Sequence, residues 1–227
     1  MFEFRFYEIW RSSEYLETLF YGIVTSFWLT VVGSIIGFAM GIVLALAQAK
    51  NVNVFIRYLV VSYIEFVRNT PFIVQLFFVV FGLPLLLNYH WSLQNSALLA
   101  IVLNFSAYFG EVTRAGIDAV PTGQTEGAFS LGMTKRQTVL DVILPQALAN
   151  VYPSLTSQFV FLFLTTGLVS EIGVQDLTWA GRFVADRTFR DFEVFITLTI
   201  LYMLMVYFFM GAMLLIKRMA FPWWGLK

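Results

Sequence analysis

Several polar side chains lie within or beside long apolar stretches of this sequence. Such groups are costly inside a membrane unless they are paired or contact a ligand. A guanidinium can hold a carboxylate through its planar fork, and an acidic side chain can face an ammonium group or a cationic side chain. The five candidates for ligand contact are Arg68, Glu111, Thr166, Ser170 and Glu171. Structural ion pairs and a proton path are alternatives that the residues leave open.

Among these candidates, Glu171 best separates a ligand contact from a structural ion pair. No Lys or Arg lies within ten residues on its N-terminal side, and the nearest basic residue after it is Arg182. Its cationic partner must therefore come from another segment, a sister subunit or the ligand. A partner supplied by the ligand favours a cationic ligand, and Glu171→Gln should then cause selective loss of that ligand. An interfacial glutamate that meets water is the alternative.

The composition is that of an integral membrane protein. Of the 227 residues, 59% are hydrophobic and only 12% are charged, whereas a soluble domain is about one quarter charged. The formal net charge is zero, so nothing indicates nucleic-acid binding. The sequence contains no Cys and one His, which leaves no disulfide, no thiolate metal site and no convincing Ser–His pair.

Apolar runs predict five membrane-spanning helices, preceded by an interfacial helix within residues 1–17. The predicted spans cover residues 19–47, 57–86, 96–119, 146–169 and 194–216. In the first span, Gly33, Gly37 and Gly41 recur every four residues, which predicts close packing against another helix. The fold class is therefore an all-α membrane protein, and we expect residues 1–227 to form one transmembrane domain.

Two spans carry internal charges and one of them carries a proline. Pro71 predicts a break in the second span, because it lacks a backbone donor and disfavours helical geometry before it. Glu65 and Arg68 lie three residues apart, as do Glu111 and Arg114, so each pair can share a helix face. A broken helix can line a polar cavity, or it can be a kink held by an internal ion pair.

The stretch from Thr122 to Pro145 is a polar insert between apolar spans. Its composition predicts two short helices with a sharp break at Gly132, since glycine permits that change of direction at least cost. Pro145 is expected to end the second helix, because its ring removes a backbone hydrogen bond. A rigid helix–break–helix unit can transmit force from a soluble partner into a membrane domain.

This insert resembles the EAA loop of binding-protein-dependent ABC importer permeases. That pattern reads Glu-Ala-Ala, three residues, Gly, nine residues, Ile, one residue, Leu-Pro; here Gly127 replaces the first Ala and Val142 replaces Ile. The preceding SAYFGEVTRAGIDAVPTGQ matches the lead-in of the polar-amino-acid members. EFVRNTPFIVQL resembles their Arg-Gly-Thr-Pro element with Asn69 in place of Gly, while their Lys-Asp-Thr-Ser-Leu pattern has lost its Lys-Asp pair.

The resemblance covers residues 18–218, with the coupling loop at 120–146, and implies the type I ABC importer permease fold. It implies a dimer with an identical or sister permease chain, two ATP-binding cassette subunits and a periplasmic or extracellular amino-acid-binding protein. ATP and Mg would bind to the ATPase partner, and this chain would import polar amino acids by alternating access. The ATPase-coupling residues would be Glu126, Gly127, Ala128, Gly132, Leu144 and Pro145.

Basic residues predict the orientation in the bacterial cytoplasmic membrane. Lys and Arg favour the cytoplasmic side of short loops. They occur in the first and third loops and after the last span, whereas the second loop has none. The fourth loop disagrees, because it carries Arg182, Arg187 and Arg190, but Asp186, Asp191 and Glu193 surround them. We therefore expect an external N-terminus and a cytoplasmic C-terminus, with the EAA-like loop in the cytoplasm.

An ion-coupled secondary transporter or channel is the alternative function. It would use Glu65, Glu111 or Glu171 as protonatable relays. Five spans give no internal inverted repeat, and the EAA-like loop would have no role in such a protein. The sequence also lacks a glycine-rich phosphate-binding loop and a zinc-binding H-E-x-x-H pattern, so we expect no enzymatic activity in this chain. Co-purification of an ATPase subunit would separate the two functions.

Overall fold

The chain forms a helical bundle in a computed structural model that describes residues 4–49, 52–88 and 90–223. All regular secondary structure in these ranges is helical. The helices are α1 Tyr7–Trp10, α2 Ser13–Ala47, α3 Val54–Arg68, α4 Phe72–Phe77, α5 Leu83–Leu87, α6 Leu93–Asp118, α7 Thr122–Ser130, α8 Lys135–Gln137, α9 Leu144–Asn150, α10 Tyr152–Thr166, α11 Leu177–Thr188 and α12 Asp191–Ala220. π-helical turns at Phe78–Gly82 and Thr138–Ile143 join α4 to α5 and α8 to α9, and a 3₁₀ turn at Gly167–Ile172 extends α10.

Four helical segments in the described ranges are long and apolar enough to cross a membrane: α2, α6, α10 with its 3₁₀ turn, and α12. α3 and the segment Phe72–Leu87 pass the same test together, but they meet at an angle of 110°. This bent pair covers most of the second predicted span, with its break at the predicted proline, so the described ranges hold four spans, or five where the bent pair is counted as one. The prediction of an all-α membrane fold is confirmed.

α2 and α6 form the central and most extensive helix pair of the bundle. Their backbones approach closely at Gly41, where a β-carbon would lie 2.7 Å from the Cβ atom of Phe109 and 2.9 Å from the backbone nitrogen of Gly110. Gly33 faces Ile101 in the same way, 2.8 Å from its Cγ2 atom. The three glycines therefore form the contact face that their spacing predicts.

A buried polar cluster attaches α11 to α2 and α12. The Asp176 carboxylate caps α11 by accepting a hydrogen bond from the backbone nitrogen of Trp179 at 2.9 Å. The Ser26 hydroxyl on α2 accepts a bond from the backbone nitrogen of Leu177 at 3.1 Å, and Tyr202 on α12 lies 2.8 Å from the Thr178 hydroxyl. Because Asp176 is fully buried, burial raises its pKa from 3.8 to about 6.

We predict that Gly41→Ala destabilises the bundle, although alanine is the better helix former. The added methyl group must displace Phe109 or the backbone of Gly110, which should lower the free energy of unfolding by about 1–3 kcal/mol. Gly211→Ala on α12 is the matched control, because nothing lies within 4 Å of the added carbon. Thermal unfolding of the full chain in detergent measures both variants, and equal melting temperatures for both would contradict the close contact.

Asp176 should make stability fall between about pH 4 and pH 6. The unfolded chain loses the proton near pH 3.8 and the folded chain near pH 6, so ionisation penalises the folded state across this window. Asp176→Asn should remove the dependence and add on the order of 3 kcal/mol above pH 6. Asp186→Asn on the exposed face of α11 is the control. The free energy of unfolding is measured from pH 4 to pH 8. The same pH dependence in wild type and Asp176→Asn would contradict the prediction.

Candidate functional site

The break between α3 and α4 is closed by one side-chain amide. The two hydrogens on Nε2 of Gln75 are shared among three acceptors: the backbone carbonyl of Val67 at 2.8 Å, the carbonyl of Thr70 at 3.1 Å and the Thr70 hydroxyl at 2.6 Å. These acceptors lie at the end of α3 and in the turn after it. Gln75 thus supplies donors for carbonyl groups near the bend.

The closed break is attached to α6. The Oε1 atom of Gln75 accepts a hydrogen bond from the buried Asn104 amide at 2.9 Å. One turn earlier on α3, the Tyr63 hydroxyl donates to the backbone carbonyl of Leu103 at 2.6 Å. These contacts fix the end of α3 against the middle of α6, and Arg68, the last residue of α3, is positioned by them.

Arg68 stands at one end of a ladder of alternating charges. Its Nη1 atom is 3.9 Å from the Oε1 atom of Glu111, and its guanidinium lies over the Tyr108 ring at 6.0 Å from the centroid. Arg114 binds Glu111 through two contacts, at 2.5 Å and 3.3 Å, and binds Asp118 at 2.7 Å. The ladder therefore runs along α6 to its last residue.

Arg68 is the least committed member of this ladder. Both oxygens of Glu111 are engaged by Arg114, whereas Arg68 makes one long contact and keeps 38% of its side chain exposed. The aromatic ring of Phe161 on α10 meets Tyr108 edge-on at 6.3 Å and is half exposed. The arrangement presents a guanidinium fork beside an aromatic wall, which can bind a carboxylate.

Glu65 does not hold the break through an ion pair with Arg68. Its Oε2 atom accepts a hydrogen bond from the Asn69 amide at 3.0 Å, while Arg68 turns toward α6. Glu65 therefore bonds at the C-terminal end of its own helix, whereas Arg68 makes its contact with Glu111 on α6. Glu111 and Arg114 do form the pair that their spacing predicts.

Glu171 forms a pair of its own. Its carboxylate binds the guanidinium of Arg182 on α11, and both side chains are partly exposed. Of the three sources considered for its cation, the structure shows another segment of the same chain. A role in substrate contact would require Arg182 to release Glu171.

Thr166 and Ser170 are turned toward their own backbone. The Thr166 hydroxyl donates to the carbonyl of Phe163 at 2.7 Å, and the Ser170 hydroxyl donates to the carbonyl of Gly167 at 2.8 Å. Both residues are buried. In this conformation they stabilise the change from α to 3₁₀ geometry and are not brought to the Arg68–Glu111 pair.

The polar insert contains the predicted break at Gly132. Gly132 has φ +77° and ends α7, with its nitrogen donating to the carbonyl of Phe129 at 2.9 Å and that of Met133 donating to the carbonyl of Ala128 at 3.1 Å. This is a Schellman motif, which requires a left-handed residue. Thr134 and Gln137 then form a capping box that starts α8.

α7 presents apolar side chains away from the bundle. Leu131 is 84% exposed and Phe129 is 46% exposed, whereas Ala128 is buried beneath them. A groove of about 530 Å³ runs between α7 and Val142. The Gln146 amide donates to Gln124 at 3.1 Å, which attaches α7 to α9. α7 is therefore held against α9 by a hydrogen bond and exposes apolar side chains at its C-terminal end.

The prediction that Pro145 ends a helix is wrong. The chain stays helical from Lys135 to Asn150, with Pro145 in the first turn of α9. The π-helical turn Thr138–Ile143 directly precedes α9, so the proline follows a local departure from α-helical hydrogen bonding and does not interrupt a regular α-helix. The helical run ends instead at Val151, just before Pro153.

Sequence reasoning missed the residues that hold the site together. Gln75 and Asn104 are single amides in apolar surroundings, and that isolation is the available signal, because a buried amide in a span needs partners. Their contact joins different helices, so it could not be read from local spacing.

The chain resembles curated transport proteins along most of its length. It is 33% identical over 185 residues to the arginine transport system permease protein of Bacillus subtilis strain 168, a match that covers 82% of this chain and 84% of that protein. It is 34% identical over 163 residues to a putative glutamine transport system permease protein of Rickettsia prowazekii, covering 72% and 74% of the two chains.

A solved structure has the same fold. The crystal structure of an amino acid ABC transporter with histidines contains a chain that matches with a TM-score of 0.82 and 32% identity, covering 96% of this chain and 99% of that chain. The structural similarity therefore extends from the spanning helices to the polar insert.

The family model for the binding-protein-dependent transport system inner membrane component matches residues 33–220. This range includes the bent span, the charge ladder on α6 and the insert with its left-handed glycine. The chain therefore belongs to the family of binding-protein-dependent transport system inner membrane components.

Proposed function

We propose that this chain is the membrane-spanning subunit of an ATP-driven, binding-protein-dependent importer of polar amino acids, cationic ones included. The observation that carries the proposal is the Arg68–Glu111 pair beside the broken span. Family membership supports the transport role, and relatives named for arginine and glutamine support the substrate class.

Arg68 is the group that we assign to the substrate α-carboxylate. Every amino acid carries this carboxylate, so recognition by Arg68 suits a family whose members differ in the side chain they transport. Glu111 is placed to meet the α-ammonium group once Arg114 releases part of its hold. Glu171 would bind a cationic side chain in a conformation in which Arg182 has moved away. Thr166 and Ser170 would contribute only after the turn at the end of α10 rearranges.

α7 is the proposed contact for the ATPase. The residues assigned to coupling are Glu126, Gly127, Ala128, Gly132, Leu144 and Pro145. The exposed Phe129 and Leu131 give α7 an apolar surface that a soluble subunit can cover, and the Schellman end keeps α7 rigid. The complex would contain two ATPase subunits, which bind ATP and Mg, and two permease chains. The ATPase subunits would contact one such loop from each permease chain.

The proposed cycle is alternating access. The single permease domain lies in the bacterial cytoplasmic membrane with its N-terminus outside, and the binding protein delivers substrate on that side. ATP closes the ATPase subunits, the two coupling loops move together and the pathway opens outward; hydrolysis returns it inward. In this conformation the acids that an ion-coupled transporter would use each have a partner: Glu65, Glu111 and Glu171 bind Asn69, Arg114 and Arg182.

We predict that Arg68→Gln raises KM for arginine, glutamine and histidine alike, by about tenfold or more, because a charge-assisted contact to their shared carboxylate is lost. Uptake of each radiolabelled amino acid, with the neighbouring transport genes present, measures the change. Arg11→Gln is the control, because Arg11 pairs with Glu8 at the N-terminal surface. Unchanged KM values for all three amino acids in Arg68→Gln would contradict the assignment.

Gly132→Val should abolish uptake while the chain still inserts in the membrane. Valine at φ +77° is strained, so the end of α7 must change its direction. Gly132→Asn is the matched variant, since asparagine tolerates left-handed geometry and should retain much of the uptake. Membrane insertion is checked by quantifying the chain in washed membranes. Equal uptake by the valine variant and wild type would exclude a role for this bend in coupling.

A further inference from the structure

A cavity of about 440 Å³ lies at the end of the bundle where α2 and α6 finish and α3 begins. Its walls are mostly apolar, with Ala45, Leu46, Val61 and Ile117 among them. The volume falls within the range of small-molecule sites in proteins, about 300–1,000 Å³. Arg68 lies at the other end of α3 and does not line this cavity, whereas Arg114 belongs both to the cavity lining and to the charge ladder.

Three charged side chains line this cavity, and their charges do not balance. Arg114 is committed, because it binds Glu111 through two contacts and Asp118 through a third. Arg57 is half-buried, and its guanidinium makes no hydrogen bond or ion pair with any residue in the described ranges. The third charged side chain, the carboxylate of Asp118, is bound by Arg114, so Arg57 has no anionic partner in the cavity. A cation beside apolar walls is stabilised when an anion joins it.

The cavity is next to surface that suits the bilayer. The first turns of α3 expose Phe55, Ile56 and Leu59, each about half exposed or more, on either side of Arg57. Val139 and Ile143 of the polar insert also line the cavity. In the orientation that the proposed function requires, this end faces the cytoplasmic leaflet, which is rich in anionic lipids. Basic pockets between spanning helices on that side bind lipid headgroups.

We propose that this cavity binds one anionic phospholipid of the cytoplasmic leaflet. The phosphate lies on the guanidinium fork of Arg57, which presents paired donors to two phosphate oxygens. An acyl chain lies along Ala45, Val61 and Ile117. The bound lipid also packs against Val139 and Ile143, so it supports the segment that follows the proposed ATPase contact. The placement in this leaflet rests on the proposed function.

Native mass spectrometry of the full-length chain in detergent tests the proposal. Phosphatidylglycerol, phosphatidylcholine and inorganic phosphate are titrated separately. We expect retention of one phosphatidylglycerol per chain with about tenfold preference over phosphatidylcholine. Equal retention of the two lipids, or displacement of phosphatidylglycerol by inorganic phosphate alone, would overturn the proposal. The assay measures binding without transport, so failure of the transport assignment does not alter its result.

Variants locate the bound lipid. Arg57→Gln should weaken phosphatidylglycerol binding by about tenfold, whereas Arg218→Gln, an exposed basic residue at the end of α12, should leave it unchanged. Arg57→Lys keeps the charge and loses the fork, so it should bind with intermediate affinity and serves if the glutamine variant fails to fold. Wild-type affinity for phosphatidylglycerol in Arg57→Gln or Arg57→Lys would contradict a site at Arg57. Equal losses of affinity in Arg57→Gln and Arg218→Gln would show general attraction to the basic surface and would contradict it as well.

Discussion

The Gln75 amide lies where a bent span would otherwise leave backbone carbonyls without donors. Inside a bilayer no water can fill that role, so a break is tolerated only where the protein itself supplies the hydrogen bonds. Gln75 bonds to Val67 and Thr70 and is in turn held by Asn104. Removal of the amide would leave these groups unpaired at about 1–3 kcal/mol each. Together with the Thr70 hydroxyl and the Asn69 amide, which donate to the carbonyls of Phe66 and Glu65, this side chain stabilises the bend that positions Arg68.

The rigid support for that amide comes from the α2–α6 pair. Lipid tails are as apolar as the side chains, so association of spanning helices depends on close packing. Gly33 and Gly41 let α2 approach α6 closely, which leaves the other faces of α6 to hold Asn104 toward α4 and Glu111 toward α3. One helix thus serves as both the structural axis and the carrier of the charged groups.

Much of this architecture could be predicted, because hydropathy, proline and glycine act locally. The spans, the break at Pro71 and the left-handed Gly132 each follow from a few neighbouring residues. The partners of Arg68 and Glu171 could not be predicted, since they depend on how α3 crosses α6 and how α11 folds back. Pro145 misled for a related reason: the π-helical turn before it is a local departure that the proline pattern does not reveal.

The charge ladder constrains what any one of its members can do. Glu111 contacts two arginines and Arg114 contacts two carboxylates. Arg68 and Arg114 therefore compete for Glu111, and Glu111 and Asp118 compete for Arg114. Neutralising Asp118 would leave Arg114 with Glu111 alone and reduce the pull of Glu111 on Arg68. If Asp118 approaches Arg114 more closely, Arg114 binds Glu111 less tightly. The Glu111 carboxylate then attracts Arg68 more strongly. The series of charge contacts from Arg68 ends at Asp118, the last residue of α6, and only a short link separates Asp118 from the start of α7.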